Sequence, residues 1–151
     1  SYVELYKGGI VSMEEFAASK RDRDILVRII VKKQPMKTVY LSQRNSKTDF
    51  PVLTCALSLD GKGQVKTVVG ACPSRARIIE DKEGMVKDFL NLSKEEQEAA
   101  AEAFGTYVQG QVKTGSNMRA SREYRSLLVK VLTKRALLAA ASKESQAGGM
   151  E

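Results

Sequence analysis

The 151-residue chain contains no histidine and no tryptophan. Without histidine there is no Ser-His-Asp triad, no Cys-His dyad, no H-E-x-x-H zinc site and no imidazole base. The two cysteines, Cys55 and Cys72, are too few for a disulfide scaffold or a four-thiolate metal site. With no secretion signature, they point to a reducing, cytoplasmic setting. No apolar run approaches the ~18 residues that a membrane-spanning helix needs. Aromatic residues make up only 6% of the chain, few for a surface that stacks nucleic-acid bases. Because the chain begins at Ser1 with no signal-like leader, it is expected to be a processed protein, a cloned piece, or the ordered part of something longer.

What remains is basic and globular. The net charge is +7, with 42% hydrophobic and 28% charged residues. The charge is uneven: residues 1–75 carry 13 basic against 7 acidic side chains, and residues 76–151 carry 12 against 11. In Lys20, Arg21, Arg23 and Arg28 the basic run is interrupted by Asp22 and Asp24. This favours a solvated face or a contact surface for an acidic partner over nucleic-acid binding.

The first half reads as strands. Residues 25–31 (ILVRIIV) are a β-branched run, followed by strand patterns at 36–42, 51–59 and 64–70, with 76–80 a short strand or connector. Asp60, Gly61, Lys62 and Gly63 form the turn of a hairpin between the third and fourth. The polar stretch 43–49 (QRNSKTD) is longer than a tight hairpin needs, and long loops on rigid scaffolds concentrate function. After residue 81 the period becomes helical. A short helix is compatible with 83–90. Ser93 and Glu96 form a capping box that opens a helix reaching about Val112. Ser121 opens another that runs to about Ala141. Its apolar stripe is Tyr124, Leu127, Leu128, Val131, Leu132 and Leu138. Ser12 and Glu15 cap a possible turn over 13–18.

Strands followed by helices give an α+β fold: an antiparallel meander of three to four strands covered on one face by about three helices. The expected divisions are a lead-in at 1–24, a domain at 25–141 and a loose tail at 142–151.

Candidate chemistry is sparse. Cys55 lies within an apolar strand and reads as a small buried hydrophobe. Cys72 precedes Pro73 at a strand end with no histidine to activate it. Gly8, Gly9, Gly61 and Gly63 are turn glycines without the spacing of a phosphate loop. Asp49 is either a cap for the following strand or a functional carboxylate. Tyr124 reads as a core residue, and Arg125 as paired with a carboxylate or with strand-end carbonyls. No self-contained catalytic set emerges.

Residues 49–59 (DFPVLTCALSL), 64–76 (QVKTVVGACPSRA) and 119–137 (RASREYRSLLVKVLTKRAL) carry a resemblance. Asp49-Phe50, Gly70-Ala71, Pro73-Ser74-Arg75, Ser121-Arg122-Glu123-Tyr124-Arg125 and Arg135-Ala136 follow in order over about residues 25–141. The sequence resembles the C-terminal domain of the flavoprotein (medium) subunit of the molybdenum hydroxylases, the carbon monoxide dehydrogenase and xanthine dehydrogenase family. It departs at Pro51 and Leu53, at Asn117, where aspartate is common, and at Arg44 and Lys47, which replace paired arginines.

The resemblance implies an oxidoreductase domain that is not catalytic alone. In that family an N-terminal domain with a Pro-Gly-Gly-Thr loop holds most of the FAD, and these residues contain no such loop. The loop matching 43–49 approaches the isoalloxazine, which makes Lys47, Thr48 and Asp49 the candidate cofactor-binding residues, with Arg44 or Lys47 setting the local field. The implied partners are that N-terminal domain, a molybdopterin subunit and an iron–sulfur subunit, with NAD or another electron acceptor. No cofactor is expected to bind this chain alone. The competing function is a basic docking module for an acidic protein or nucleic acid.

Overall fold

A computed structural model of the chain describes residues 1–20, 23–70 and 75–142. Contacts divide it into two units, Ser1–Gln34 and Pro35–Glu151.

The first unit is a three-stranded antiparallel sheet in the order β2-β1-β3, built from β1 (Tyr2–Leu5), β2 (Gly9–Ser12) and β3 (Leu26–Ile30). Gly9 turns the β1–β2 hairpin at φ +67°, a conformation open to glycine. The Asp24 carboxylate accepts the Lys7 and Gly8 N–H groups at 3.0 and 2.8 Å, which secures that turn. Glu4 and Arg28 pair across β1 and β3. Helix α1 (Met13–Ala18) starts at the expected Ser12–Glu15 capping box, with both bonds present. The β-branched run at 25–31 does form a strand. Its partner is β1, so β3 groups with the first thirty-four residues. Tyr2–Leu5 and Gly9–Ser12 are four residues each and gave no strand signal in the sequence. Arg21 and Asp22 of the interrupted basic run lie outside the described residues.

The second unit is the meander. β4 (Met36–Gln43), β5 (Leu53–Asp60), β6 (Val65–Gly70) and β7 (Arg77–Glu80) pair antiparallel in sequence order. The hairpin falls where the glycines predict it. Asp60 Oδ1 accepts the N–H groups of Lys62 and Gln64, both at 2.9 Å, and Gly63 takes φ +77°. β5 alternates strictly: Leu53, Cys55, Leu57 and Leu59 are buried, their neighbours half-buried. Each such leucine contributes about 1.5–3 kcal/mol by leaving water.

The inward face meets α3 (Arg122–Ala141), which packs on β5 and β4, and α2 (Lys94–Gln111) packs on α3. Ala101, Phe104, Gly105 and Val108 are the buried side of α2. A Cβ at Gly105 would lie 2.8 Å from the Lys130 carbonyl oxygen, so glycine sets the helix separation there. On the solvent side Lys130 meets Glu102 at 2.5 Å, and Lys134 meets Glu98 and Glu102 at 2.8 and 3.2 Å. The architecture is thus the expected α+β arrangement, with four meander strands and three helices among the described residues.

Two local expectations are corrected. Residues 83–90 form no α-helix; only a 3₁₀ turn follows, Phe89–Asn91. The Asp81 carboxylate accepts the Met85 and Val86 N–H groups at 3.1 and 2.8 Å, while Gly84 and Asp88 sit at φ +73° and +53°, which interrupts helical repetition. The buried stripe of α3 is also rotated. It runs through Arg125, Leu128, Val129, Leu132, Thr133, Ala136, Leu137 and Ala140, whereas Leu127 is exposed and Tyr124 is 43% exposed. Small residues at 133, 136 and 140 allow close approach to the sheet, and that outweighs the larger residues at 124 and 127.

Cys55 is buried as expected, its Sγ 3.4 Å from Thr67 Oγ1 and 3.8 Å from Thr133 Oγ1. Burial pushes its thiol pKa up, partly offset by the two hydroxyls. Cys72, Ala71, Pro73 and Ser74, and the tail beyond Ser142, lie outside the described residues.

Ser121 caps α3 by accepting the Tyr124 N–H at 3.2 Å. Ser121→Ala should cost about 0.5–2 kcal/mol. In a domain of this size, that lowers the melting temperature by about 1–8 °C. An unchanged melting curve would remove the cap from the account.

Candidate functional site

The β4–β5 connection is pinched at its neck, where Val52 N–H donates to the Gln43 carbonyl at 2.7 Å. Inside, Asp49 N–H closes a turn on the Ser46 carbonyl at 3.2 Å, and Arg44 Nη1 donates to the Asp49 carbonyl at 2.5 Å. The turn holds Lys47 and Thr48 exposed at its tip.

Asp49, the third candidate, is directed differently. Its Oδ1 accepts the Phe50 N–H at 2.7 Å and the Arg119 Nε at 3.0 Å. The Arg119 guanidinium, then the Phe50 N–H, hold its carboxyl below the usual range, with the Arg44 charge adding to the effect. The structure therefore brings Lys47 and Thr48 together at the tip and turns Asp49 toward the connection between α2 and α3. Asp49 thus caps the Phe50 N–H ahead of β5 and pairs with an arginine seventy residues away.

That second connection is itself ordered by side chains. Asn117 and Ala120 exchange main-chain bonds at 3.0 and 3.3 Å. Asn117 Oδ1 accepts the Arg119 N–H at 2.9 Å and Arg125 Nη2 at 2.6 Å, and Arg125 Nη1 donates to the Gly115 carbonyl at 2.9 Å. Arg125 is only 4% exposed, and its Nε has no partner. Its acceptors are thus carbonyl oxygens, one of them from the amide at 117. Asn45 Nδ2 donates to the Arg119 carbonyl at 3.1 Å, a further tie between the two connections.

Phe50 stands at this clasp with 73% of its surface exposed. The Arg119 guanidinium lies over its ring, 5.3 Å from the centroid. Met118, at the neighbouring turn, is 93% exposed. An aromatic ring backed by a cation, beside Lys47, Thr48 and Arg44, suits contact with a planar, electron-rich or anionic group. Phosphate is poorly served. The starts of α2 and α3 are closed by Ser93 and Ser121, and the glycine turn at 60–64 gives its N–H groups to Asp60. Among the described residues no group of three or more Cys, Asp or Glu side chains is placed to hold a metal ion, and no helix is long and apolar enough to cross a membrane.

Sequence reasoning reached 47–49 but not Phe50, Asn45 or Arg119 as members of one site. Phe50 had a signal, an aromatic residue between a polar loop and a proline. Arg119 had none, because its partners lie seventy positions upstream.

No family model and no curated protein sequence matches the chain. Solved structures do match in fold. The chain is similar to quinoline 2-oxidoreductase from Pseudomonas putida 86, with a TM-score of 0.72 and 22% identity over 93% of this chain and 51% of that one. It is similar to carbon monoxide dehydrogenase from Hydrogenophaga pseudoflava lacking the Mo-pyranopterin moiety, with a TM-score of 0.62 and 15% identity over 92% and 52%. A cyanide-inactivated Cu,Mo-CO dehydrogenase matches with a TM-score of 0.59 at 14% identity. The chain spans about half the length of each matched chain. Two of the three are carbon monoxide dehydrogenases.

Proposed function

We propose that this chain is the C-terminal part of the FAD-carrying subunit of a molybdenum hydroxylase, and that its β4–β5 loop closes against the flavin. The observation that carries this is Phe50: an exposed ring with a guanidinium over it, directly after residues 43–49, which the resemblance sets beside the isoalloxazine. The three fold matches to enzymes of this kind support it. In this reading an N-terminal domain of the same subunit supplies the diphosphate site that the described residues lack. A molybdopterin subunit and an iron–sulfur subunit are partners in a cytoplasmic assembly, and NAD or another acceptor receives the electrons.

FAD supplies the electron transfer. The chain's own residues supply placement and field. Phe50 offers apolar contact to a ring face. Thr48 offers a hydroxyl and Lys47 an ammonium from the turn tip. Asp49 acts by holding Arg119 and the Phe50 main chain, so its charge is largely answered within the protein. With Asp49 and Arg119 paired, the local excess of positive charge comes from Arg44 and Lys47, and it favours the electron-rich, reduced form of a bound ring.

Two measurements test this. FAD titrated into the 151-residue chain should show weak or no fluorescence quenching, and tight stoichiometric binding would overturn the division of labour. In the full-length subunit, Lys47→Ala should lower the flavin midpoint potential by tens of millivolts; ~30 mV corresponds to about 1.4 kcal/mol for two electrons. A full-length subunit that carries no flavin would end this reading.

A further inference from the structure

Phe50 stands on the clasp with most of its surface exposed, and the cation over its ring comes from the α2–α3 connection. That group is Arg119, which is held at four points. Its N–H donates to Asn117 Oδ1 at 2.9 Å, its carbonyl accepts Asn45 Nδ2 at 3.1 Å, its Nε meets Asp49 Oδ1 at 3.0 Å, and its guanidinium carbon lies 5.3 Å from the Phe50 centroid. Asp49 also accepts the Phe50 N–H at 2.7 Å, so one carboxylate fixes both the main chain under the ring and the cation over it.

We infer that Arg119 is a positioning residue: it sets the plane of the Phe50 ring, leaving the opposite ring face for a planar ligand. The extension to a ligand rests on the flavin reading above; the control of Phe50 does not. Arginine suits the task because its planar fork bonds a carboxylate edge-on while its face lies on an aromatic ring. Lysine keeps the charge but has no plane to stack.

The test has two readouts. The first is the order of the Phe50 ring in the free 151-residue chain, from carbon relaxation and ring-to-Arg119 nuclear Overhauser contacts. Arg119→Gln and Asp49→Asn should both loosen the ring, and Arg119→Lys should restore little of its order. If the ring is as ordered in Arg119→Gln as in the wild type, the inference is overturned, whatever binds. Should Arg119→Gln fail to fold, Arg119→Lys and Asp49→Asn carry the same comparison. The second readout is a titration with lumiflavin, which has a flavin ring and no phosphate. Wild type should show shifts centred on Phe50, Phe50→Ala should lose them, and Arg119→Gln should weaken binding by about two- to fivefold. Equal affinity in wild type and Arg119→Gln, with loss in Phe50→Ala, would reject Arg119 while leaving the flavin reading intact. No shifts in any variant would match the weak or absent flavin binding expected of this chain alone, and the ring-order result still decides Arg119.

Discussion

Gly105→Val is expected to lower the melting temperature by roughly 6–12 °C, from a cost near 3 kcal/mol at about 2–4 °C per kcal/mol. At this position the first added carbon already falls 2.8 Å from a main-chain carbonyl oxygen of α3, and 3.4 Å from the Lys130 Cγ. A side-chain tip can move aside; a carbonyl within a helix moves only with the helix. Valine adds two more carbons and restricts the rotamers available for escape. The helix-propensity gain of replacing glycine, about 0.5–1 kcal/mol, is smaller than that displacement. Separating α2 from α3 would also open the contacts of Phe104 and Val108 with the core. Thermal denaturation followed by circular dichroism reads the effect directly. A melting temperature within ~2 °C of wild type would mean that the two helices slide apart at little cost.

Opposite signs are expected at Arg125 and Asn117. Arg125→Met removes the donor to the Gly115 carbonyl and to Asn117 Oδ1 from a site where the arginine is 4% exposed. The half-buried Gly115 carbonyl then loses this donor, at about 1–3 kcal/mol before local rearrangement admits water, while Asn117 Oδ1 keeps the Arg119 N–H. A net loss of about 1–3 kcal/mol is expected. Asn117→Asp keeps both accepted bonds and turns the 2.6 Å contact, already charge-assisted by the guanidinium, into an ion pair. It should stabilise by about 1 kcal/mol. The gain has a defined pH window. A carboxylate beside Arg125 has a folded-state pKa below the ordinary value of about 3.9. Its contribution is therefore complete above that value and disappears as pH falls through the folded pKa. Melting curves of the two variants at neutral pH and near pH 3 check both signs. A destabilised Asn117→Asp at neutral pH would show that the amide N–H group matters more than the charge.

What could be read from the sequence was what is local. The hairpin at 60–64 announced itself because aspartate and glycine determine turn geometry over five residues. The caps at Ser12, Ser93 and Ser121 did so because a hydroxyl and the amide it accepts are three positions apart. The alternation of 53–59 fixed which side of β5 is buried. Errors arose where a distant partner decides. The 25–31 run was a strand by composition, but its pairing with Tyr2–Leu5 depends on a short segment whose own pattern is silent. The stripe of α3 followed side-chain size, whereas the sheet selected small residues. Residues 83–90 had helical spacing, yet Asp81 bonded their amides first. The site divides the same way. The loop at 43–49 was visible as a polar interruption between strands. Its tie to Arg119 was not, because no period or motif spacing connects positions 49 and 119.

That distance has a consequence for the energetics of recognition. The Asp49–Arg119 tie joins residues 70 apart in the chain, and closing such a loop from the unfolded state carries a large entropic cost. The cost does not fall on the clasp. The register of β4 with β5 and the seating of α3 on the sheet already bring the two connections to within bonding distance. The clasp then orders only its own side chains. A ligand meeting Phe50 therefore finds a surface whose shape was fixed during folding. The binding free energy that a mobile loop would lose to its own ordering, about 0.5–1.5 kcal/mol for each immobilised side chain, stays available as affinity.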